Sequence, residues 1–169
     1  MGKRWFPLES NPQVMSKYVE TWGFPLSEYT FYDVLSTEEW ALGMIPSPVV
    51  AVLLLFPITP IQENHAAKQA TEQEASDIVI DPSVYYMKQK VGNACGTIGL
   101  LHALGNCRSF YTLEESSFLA RFLKKTVDKT KDEIAVILEE DEELEESHTS
   151  AAQEGQSQVR IHSYYIYFV

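Results

Sequence analysis

The chain contains 169 residues, 24 of them acidic and 13 basic, so its formal net charge is −11 at pH 7. Apolar residues make up 45% of the sequence. A domain of this length buries roughly 70% of its unfolded surface, which is enough for a core without disulfide or metal staples. The acidic balance argues against binding to nucleic acid or to an anionic membrane, because both surfaces would repel the chain. We therefore expect one globular domain whose partner is a protein with a basic surface.

The sequence carries no pattern that predicts export or membrane insertion. The basic residues Lys3 and Arg4 are not followed by an apolar segment. The longest apolar run, Val49 to Phe56, has eight residues, whereas a bilayer-spanning helix needs roughly 20. We expect a cytoplasmic protein in which Cys95 and Cys107 stay reduced.

The first part of the chain predicts a helix, a strand and a short helix, in that order. An Asn-Pro start and apolar residues at helical spacing predict a helix over 11–22, which ends at Gly23. Residues 30–34 are rich in strand formers, and Ser36 or Thr37 is placed to cap the short helix that follows.

The rest of the chain predicts a buried strand followed mostly by helices. The run 49–56 is apolar without alternation, as expected for a central strand covered on both faces. Residues 61–76 form either a polar connection or a surface helix, and 93–104 form a buried helix. The remaining predicted elements are helices over 114–127 and 131–145, a loop over 147–158 and a strand within 161–169. Helices combined with an apolar strand indicate an α/β or α+β layered fold.

The segment from Gln89 to Thr97 carries the residues best suited to chemistry. If Asn93 caps the helix, Cys95 lies in its first turn, where free backbone N–H groups and the helix dipole favour a thiolate. Gly96 would leave the sulfur open, and the Gln89 amide could donate a hydrogen bond to a tetrahedral oxyanion. The pattern predicts a nucleophile beside an oxyanion donor. The alternative is that Cys95 is a small buried hydrophobe.

A nucleophilic cysteine needs a general base, and the sequence offers four histidines. His102 lies roughly 10.5 Å further along the helix axis than Cys95, too far to take the thiol proton, and is expected to be a packed or surface residue. His65 and His148 lie in polar segments and are expected to be exposed. His162 begins a strand-forming run and is the candidate base, but no acidic residue follows it to orient its ring. Since the sequence has no metal-binding spacing or phosphate-binding glycine loop, we expect neither a metal nor a cofactor.

Five segments of the sequence form a distinctive ordered set. They are Arg4–Pro12, Ala51–Ile58, Tyr86–Gln89, Asn93–Ala103 and Glu154–Gln156. Together they resemble the ubiquitin carboxyl-terminal hydrolases, papain-like deubiquitinases of the small cytosolic type. The resemblance implies an α/β (α+β) fold with a central antiparallel sheet flanked by helices. It also implies hydrolysis of small adducts or peptides from the C-terminal glycine of ubiquitin, within protein deubiquitination and ubiquitin-dependent protein catabolism.

The resemblance implies roles for particular residues. Cys95 matches the family nucleophile, and Gln89 matches the oxyanion-hole glutamine. The residues that match a ubiquitin-contacting segment are Pro7, Leu8, Glu9, Ser10, Asn11 and Pro12. Those that match the crossover loop, which arches over the active site and limits the leaving groups, are Ser150, Ala151, Ala152, Gln153, Glu154, Gly155 and Gln156. The implied partner is ubiquitin or a ubiquitin-like modifier, and we expect a monomer.

The resemblance ends near residue 158, and residues 159–169 differ from the family pattern. We therefore divide the chain into 1–158, the N-terminal part of one catalytic domain, and a divergent tail, 159–169. In the family a strand that starts with the catalytic His follows the crossover loop, and an orienting Asp comes later. Here His162 takes the place of that base only if the loop is shortened. We expect weak or no activity, and the alternatives are a non-catalytic ubiquitin-binding module or a non-functional truncated isoform.

Overall fold

The computed structural model describes residues 2–55, 59–74, 81–155 and 164–168. Over these ranges it contains seven α-helices and three β-strands. The helices are α1 (Pro12–Thr21), α2 (Glu39–Leu42), α3 (Pro60–Glu74), α4 (Cys95–Asn106), α5 (Phe118–Thr126), α6 (Lys131–Glu140) and α7 (Glu142–Glu154). The strands are β1 (Phe31–Asp33), β2 (Ala51–Leu55) and β3 (Tyr164–Phe168). The mixed content and the antiparallel sheet confirm the predicted fold class.

The predicted first helix is confirmed as α1. The side-chain oxygen of Asn11 accepts hydrogen bonds from the amides of Gln13 and Val14, at 2.8 and 3.4 Å, and Pro12 occupies the first helical position. Gly23 follows the helix with φ of +83°, a left-handed conformation that glycine adopts without penalty. The buried face of α1 consists of Val14, Met15, Tyr18 and Val19.

The sheet has the order β1-β3-β2, and both pairings are antiparallel. Phe31 and Ala51 both lie opposite Phe168, so β3 is the central strand. The prediction that 49–56 forms a central strand covered on both faces is wrong, because β2 lies at an edge of the described sheet. Within β2, Leu53 is buried but Val52 and Leu54 are 55% and 48% exposed. The strand predicted within 161–169 is confirmed over β3.

Helix α4 runs through the middle of the core, as its small and apolar residues predict. Leu100, Leu101 and Leu104 are completely buried. The helix packs on β2, where a Cβ at Gly99 would lie 3.4 Å from Leu53 Cδ2. Because position 99 has no side chain, helix α4 can approach strand β2 closely.

The predicted helix over 131–145 is divided into α6 and α7. Asp141 is extended, with φ of −82° and ψ of 101°, and its side chain accepts a hydrogen bond of 3.0 Å from the amide of Leu144. A local cap therefore starts a second helix inside the acidic run. The loop predicted over 147–158 is wrong for residues 147–154, which belong to α7. Packing of α7 against α1 stabilises these residues as a helix.

Two exposed helices lie outside this core. All the described side chains of α3 are exposed, so the surface-helix alternative predicted for residues 61–76 is confirmed over 61–74, and residues 75 and 76 lie outside the described residues. Helix α2 starts after Glu38 rather than after Ser36 or Thr37, and the Ser36 hydroxyl accepts a hydrogen bond from the amide of Glu38. Among the described helices, none combines the length and the apolar character needed to cross a membrane.

Candidate active site

Cys95 is the first residue of α4, and it is exposed. The first hydrogen bond within the helix joins the amide of Ile98 to the carbonyl oxygen of Ala94 at 2.9 Å. The amides of residues 95–97 therefore precede the intrahelical ladder and have no acceptor within it. Cys95 is thus an accessible sulfur at the positive end of a buried helix, unlike the buried hydrophobe considered as the alternative. Cys107, the other cysteine, is free and buried.

Asn93 shapes the turn before Cys95, but it does not cap the helix. The N-cap residue is Ala94, which makes no side-chain capping bond. Asn93 has φ of +62°, a left-handed conformation that Asn tolerates better than most residues. Its Nδ2 group donates a hydrogen bond of 2.9 Å to the carbonyl oxygen of Trp5. The predicted capping role is wrong because this side chain is used to hold the N-terminal segment.

The N-terminal segment, residues 3–8, lies along the turn that leads into α4. The amide of Trp5 donates a hydrogen bond of 2.9 Å to the carbonyl oxygen of Gly92. The amide of Gly92 donates one of 3.0 Å to the carbonyl oxygen of Lys3. A Cβ at Gly96 would lie 3.1 Å from Leu8 Cδ2. Gly96 thus allows the N-terminal segment to approach α4 closely. This role adds to the predicted one, in which the small size of Gly96 leaves the sulfur of Cys95 accessible.

Gln89 is exposed on the chain that approaches this turn. Its Nε2 group donates a hydrogen bond of 3.2 Å to the carbonyl oxygen of Val91. The amide therefore already has an acceptor in the described structure. Its role at an oxyanion stays a prediction, and it requires the side chain to exchange that acceptor for the oxyanion.

His148 is the functional candidate that the sequence interpretation missed. It was expected to be exposed, but it is completely buried. Its Nδ1 atom lies 2.7 Å from Thr97 Oγ1, and its Nε2 atom lies 2.6 Å from the carbonyl oxygen of Phe6. The ring centroid is 4.5 Å from that of Trp5. Burial lowers the pKa of His148, although the hydrogen bond to Phe6 and the charge of Glu145 oppose the shift.

A helical signal for the burial of His148 was present in the sequence. Leu144, His148 and Ala151 recur at spacings of four and three and form the buried face of α7. The polar composition of residues 147–158 concealed this pattern, because Glu, Ser and Thr occupy the positions between these three residues. Periodicity is a better guide here than average polarity.

The other three histidines lie in different parts of the chain. His102 is half-buried on α4, and its Nε2 atom lies 3.1 Å from the amide and 3.2 Å from the carbonyl oxygen of Met87. These contacts make it a packed residue, one of the two predicted alternatives, and burial lowers its pKa although the hydrogen bond to Met87 opposes the shift. His65 is exposed on α3, as predicted. His162, the candidate base, lies outside the described residues.

The predicted ubiquitin-contacting and crossover-loop segments lie near each other. Leu8 is buried, and a Cβ at Gly155 would lie 2.8 Å from Glu9 Oε2. Asn11 and Pro12 start α1. Residues 150–154 are the last part of α7 and not a loop, so a crossover loop can begin at Gly155 at the earliest. Gln156 lies outside the described residues.

The described part of the chain contains ion pairs that join distant segments. No cluster of three or more His, Cys, Asp or Glu side chains there is arranged to bind a metal. The described ion pairs are exposed or half-buried, and they include Lys3 with Glu145 at 2.6 Å and Lys17 with Glu154 at 3.3 Å. Both pairs tie the N-terminal region to α7.

The chain is similar to known proteins over almost its whole length. Residues 5–169 match the family model described as ubiquitin carboxyl-terminal hydrolase, family 1. The chain is 46% identical over 154 residues to Ubiquitin carboxyl-terminal hydrolase 3 of Arabidopsis thaliana, covering 91% of this chain and 65% of that protein. It is 40% identical over 164 residues to Ubiquitin carboxyl-terminal hydrolase isozyme L1 of Rattus norvegicus, covering 96% of this chain and 72% of that protein. The chain thus spans just under two thirds of the length of the Arabidopsis relative.

A solved structure supports the same fold. The Trichinella spiralis UCH37 catalytic domain, bound to ubiquitin vinyl methyl ester, superimposes with a TM-score of 0.67 and 14% sequence identity. The superposition covers 98% of this chain and 95% of that chain. At this level of identity the likeness establishes a shared fold and leaves the chemistry of individual residues to other arguments.

Proposed function

The chain belongs to family 1 of the ubiquitin carboxyl-terminal hydrolases, and we propose that it acts as a thiol-dependent ubiquitinyl hydrolase with Cys95 as nucleophile. In this reaction Cys95 Sγ attacks the carbonyl carbon of the C-terminal glycine of ubiquitin. The bond to the adduct breaks, and the adduct leaves with a proton. Water then hydrolyses the thioester, which restores the thiol and releases the carboxylate of ubiquitin.

One observation carries this proposal: the sulfur of Cys95 is exposed at the first position of a buried helix. Partial positive charge at a helix N-terminus stabilises a nearby anion, whether this is a thiolate or the oxyanion of a tetrahedral intermediate. Cys107 offers the contrast, since burial raises the pKa of its thiol and keeps it protonated. Only one of the two cysteines is therefore both accessible and placed beside helix N–H groups.

We assign the oxyanion donor to Gln89. The hydrogen bond of 3.2 Å from its Nε2 group to the carbonyl oxygen of Val91 supports this assignment, because the amide already acts as a donor in the segment that leads to Cys95. A tetrahedral oxyanion carries more negative charge than a peptide carbonyl, so it competes well for the same N–H group. Loss of one such donor costs on the order of 10²–10³ in rate in other hydrolases.

The partner that fits this site is ubiquitin. The net charge of −11 favours encounter with a basic protein surface, an effect that acts mainly on the association rate. We place the contact on residues 7–12 and on the chain that follows α7. These two regions meet where Glu9 lies beside Gly155. Small adducts and short peptides are the proposed leaving groups, and the cytoplasm is the proposed location.

The general base of the proposed reaction is His162. Two of the described histidines are engaged elsewhere, because His102 contacts Met87 and His148 contacts Thr97 and Phe6. The third, His65, is exposed on α3. In the role of base, the imidazole of His162 takes the proton of the Cys95 thiol and passes it to the departing adduct.

Labelling with ubiquitin vinyl methyl ester tests the proposal. Cys95 Sγ should add to the vinyl group, and the product should appear as a mass increase equal to one probe molecule. Cys95→Ala should abolish the adduct and leave ubiquitin affinity largely unchanged. Cys107→Ala is the matched control, and it should label like the original chain because that sulfur is buried. Labelling that persists in Cys95→Ala would show that the nucleophile is another residue.

A non-catalytic ubiquitin-binding module is the second candidate. It is favoured by the engagement of His102 and His148 with backbone and hydroxyl groups, which leaves neither of them free to take a proton from Cys95. This candidate predicts saturable binding of ubiquitin without any adduct at Cys95. The labelling experiment, together with titration by unmodified ubiquitin, separates the two.

A further inference from the structure

The ring of His148 joins three separate parts of the chain. It belongs to α7, and it contacts Thr97 in the first turn of α4 and Phe6 in the N-terminal segment. The side chain is completely buried, so water does not compete for either contact. Both ring nitrogens are used, which is the arrangement that specifies a single ring orientation.

The contacts also specify which nitrogen carries the proton. The carbonyl oxygen of Phe6 only accepts, so His148 Nε2 donates to it at 2.6 Å. In the neutral ring Nδ1 is then an acceptor, and the hydroxyl of Thr97 donates to it at 2.7 Å. The phenol of Tyr18 donates to Thr97 Oγ1 at 2.9 Å. The hydrogen bonds therefore run in one direction from α1 through α4 and α7 to the N-terminal segment.

Two residues of this chain of hydrogen bonds, Thr97 and Phe6, belong to segments that adjoin Cys95 or the turn before it. Thr97 follows Cys95 by two positions in the same helical turn. Phe6 lies between Trp5, which bonds to Gly92 and Asn93, and Leu8, which contacts Gly96. A displacement of the N-terminal segment would therefore break the contacts that hold Gly92, Asn93 and Gly96.

We propose that His148 is a positioning residue, which holds residues 3–8 against the turn 91–96 and thereby sets the position of Cys95. The inference rests on the proposed function of Cys95. His148 acts through Phe6 and Thr97, and it does not contact the reacting atoms.

The neutral state of His148 is part of this role. Around the ring lie Trp5 and Phe6 from the N-terminal segment, Thr97 from α4, Tyr18 from α1 and Glu145 on α7. Glu145 is paired with Lys3 at 2.6 Å. A proton on Nδ1 would meet the hydroxyl hydrogen of Thr97 and force the hydrogen bonds toward Tyr18 to reverse. Acid should therefore loosen the N-terminal segment before the rest of the fold.

Hydrogen exchange tests the positioning role without using activity. In His148→Ala, the amides of residues 3–6, 8 and 91–97 should exchange at least about tenfold faster at pH 7.5, as expected for the loss of two buried hydrogen bonds. Residues 118–126 of α5 should keep their protection. His148→Gln is the rescue variant, because its amide supplies one donor and one acceptor, and it should restore slow exchange.

Labelling then connects the positioning role to Cys95. With ubiquitin vinyl methyl ester, His148→Ala should lower the maximal labelling rate about tenfold, and His148→Gln should recover most of it. Below pH 6.5 the original chain should lose maximal rate, whereas His148→Gln should lose less because residue 148 no longer titrates. His65→Gln is the matched control, and it should follow the original chain at every pH.

The outcomes separate this inference from the proposed function. If the original chain is not labelled but exchange changes locally in His148→Ala, the proposed function fails and the structural role of His148 stands. If labelling occurs at Cys95 but exchange at residues 3–8 and 91–97 is unchanged in His148→Ala, the positioning role is wrong. Equal acceleration of exchange in α5 would also overturn it, because His148 would then stabilise the whole fold. Failure of His148→Gln to restore slow exchange would count against it in the same way.

Discussion

The side-chain amide of Asn93 donates a hydrogen bond of 2.9 Å to the backbone carbonyl of Trp5, although the two residues are 88 positions apart. Asn93 also has φ of +62°, so one residue both reverses the chain before Cys95 and attaches the N-terminal segment to that reversal. The site around Cys95 is therefore built from two distant parts of the sequence. Its integrity depends on contacts that are not local to α4.

Replacement of Asn93 separates its two roles. Asn93→Ala loses the bond to Trp5 and replaces Asn by a residue that tolerates positive φ less well, so we expect a loss of about 2–3 kcal/mol of stability. Asn93→Gly loses the same bond but adopts positive φ freely, and it should be less destabilised by about 0.5–1 kcal/mol. Urea unfolding measures both. Equal stability of the two variants would show that the backbone conformation carries no cost.

Gly105 is predicted to be intolerant of any side chain. A Cβ there would lie 2.2 Å from Cδ1 of Tyr85. The ring of Tyr85 is not free to move, because its hydroxyl is bonded to Thr126 Oγ1 at 2.8 Å. Gly105→Ala should therefore lower the free energy of unfolding by about 3 kcal/mol, at the upper end for overpacking. Gly2→Ala, where a Cβ meets nothing within 4 Å, is the control and should change little.

The stability of the protein should fall as the pH drops below about 6.5, the ordinary pKa of His. The pKa values of His102 and His148 are both lowered by burial in the folded state. The unfolded chain therefore binds more protons between the folded and unfolded pKa values, and acid favours unfolding. Each group contributes a slope of up to about 1.4 kcal/mol per pH unit in that window.

Denaturant titrations between pH 7.5 and pH 5.5 check this dependence on acid. His102→Gln should reduce the slope below pH 6.5, whereas His65→Gln should leave it unchanged because that side chain is exposed. The carboxyl groups of Asp132 and Glu133 have pKa values lowered by hydrogen bonds to Lys88 and Thr130. Their contribution to stability is lost only at lower pH, so the carboxyl groups and the histidines affect stability in different pH ranges. A flat profile from pH 7.5 to pH 5.5 would contradict the prediction.

The open face of β2 should promote self-association. Val52 and Leu54 are exposed on that face, and β2 lies at an edge of the described sheet. An apolar edge strand pairs readily with another chain, and a charged residue opposes such pairing. Val52→Lys should reduce light scattering in concentrated solution and leave the unfolding free energy within about 0.5 kcal/mol. Leu53→Lys is the matched contrast and should unfold the domain, because Leu53 is buried.

Much of the local structure was predictable because its causes are local. Asn11 and Pro12 start α1, and Gly23 ends it, through the conformations that these residues prefer. The position of Cys95 in the first turn of a buried helix also follows from the sequence pattern, although the cap was assigned to the wrong residue. The likeness to a known family was visible in short ordered motifs and is confirmed by the match over residues 5–169.

The predictions that were wrong concern contacts between distant segments. β2 is apolar throughout, which predicts a central strand, but the sheet order places β3 between it and β1. Residues 147–154 are polar, which predicts a loop, but packing on α1 stabilises them as part of α7. In both cases the local pattern was real, and the partner that decided the outcome was far away in the chain.

The sequence by itself determined the family, the helix that carries Cys95 and the acidic character of the surface, because motifs, apolar periodicity and charge are properties of neighbouring residues. Only the tertiary structure decided that His148 is buried and neutral and that it joins Phe6 to Thr97. The physical reason is that burial and hydrogen-bond partners depend on which segments meet in space. A polar residue such as His148, whose neighbours in sequence predict exposure, can therefore be buried and can connect the segments that surround Cys95.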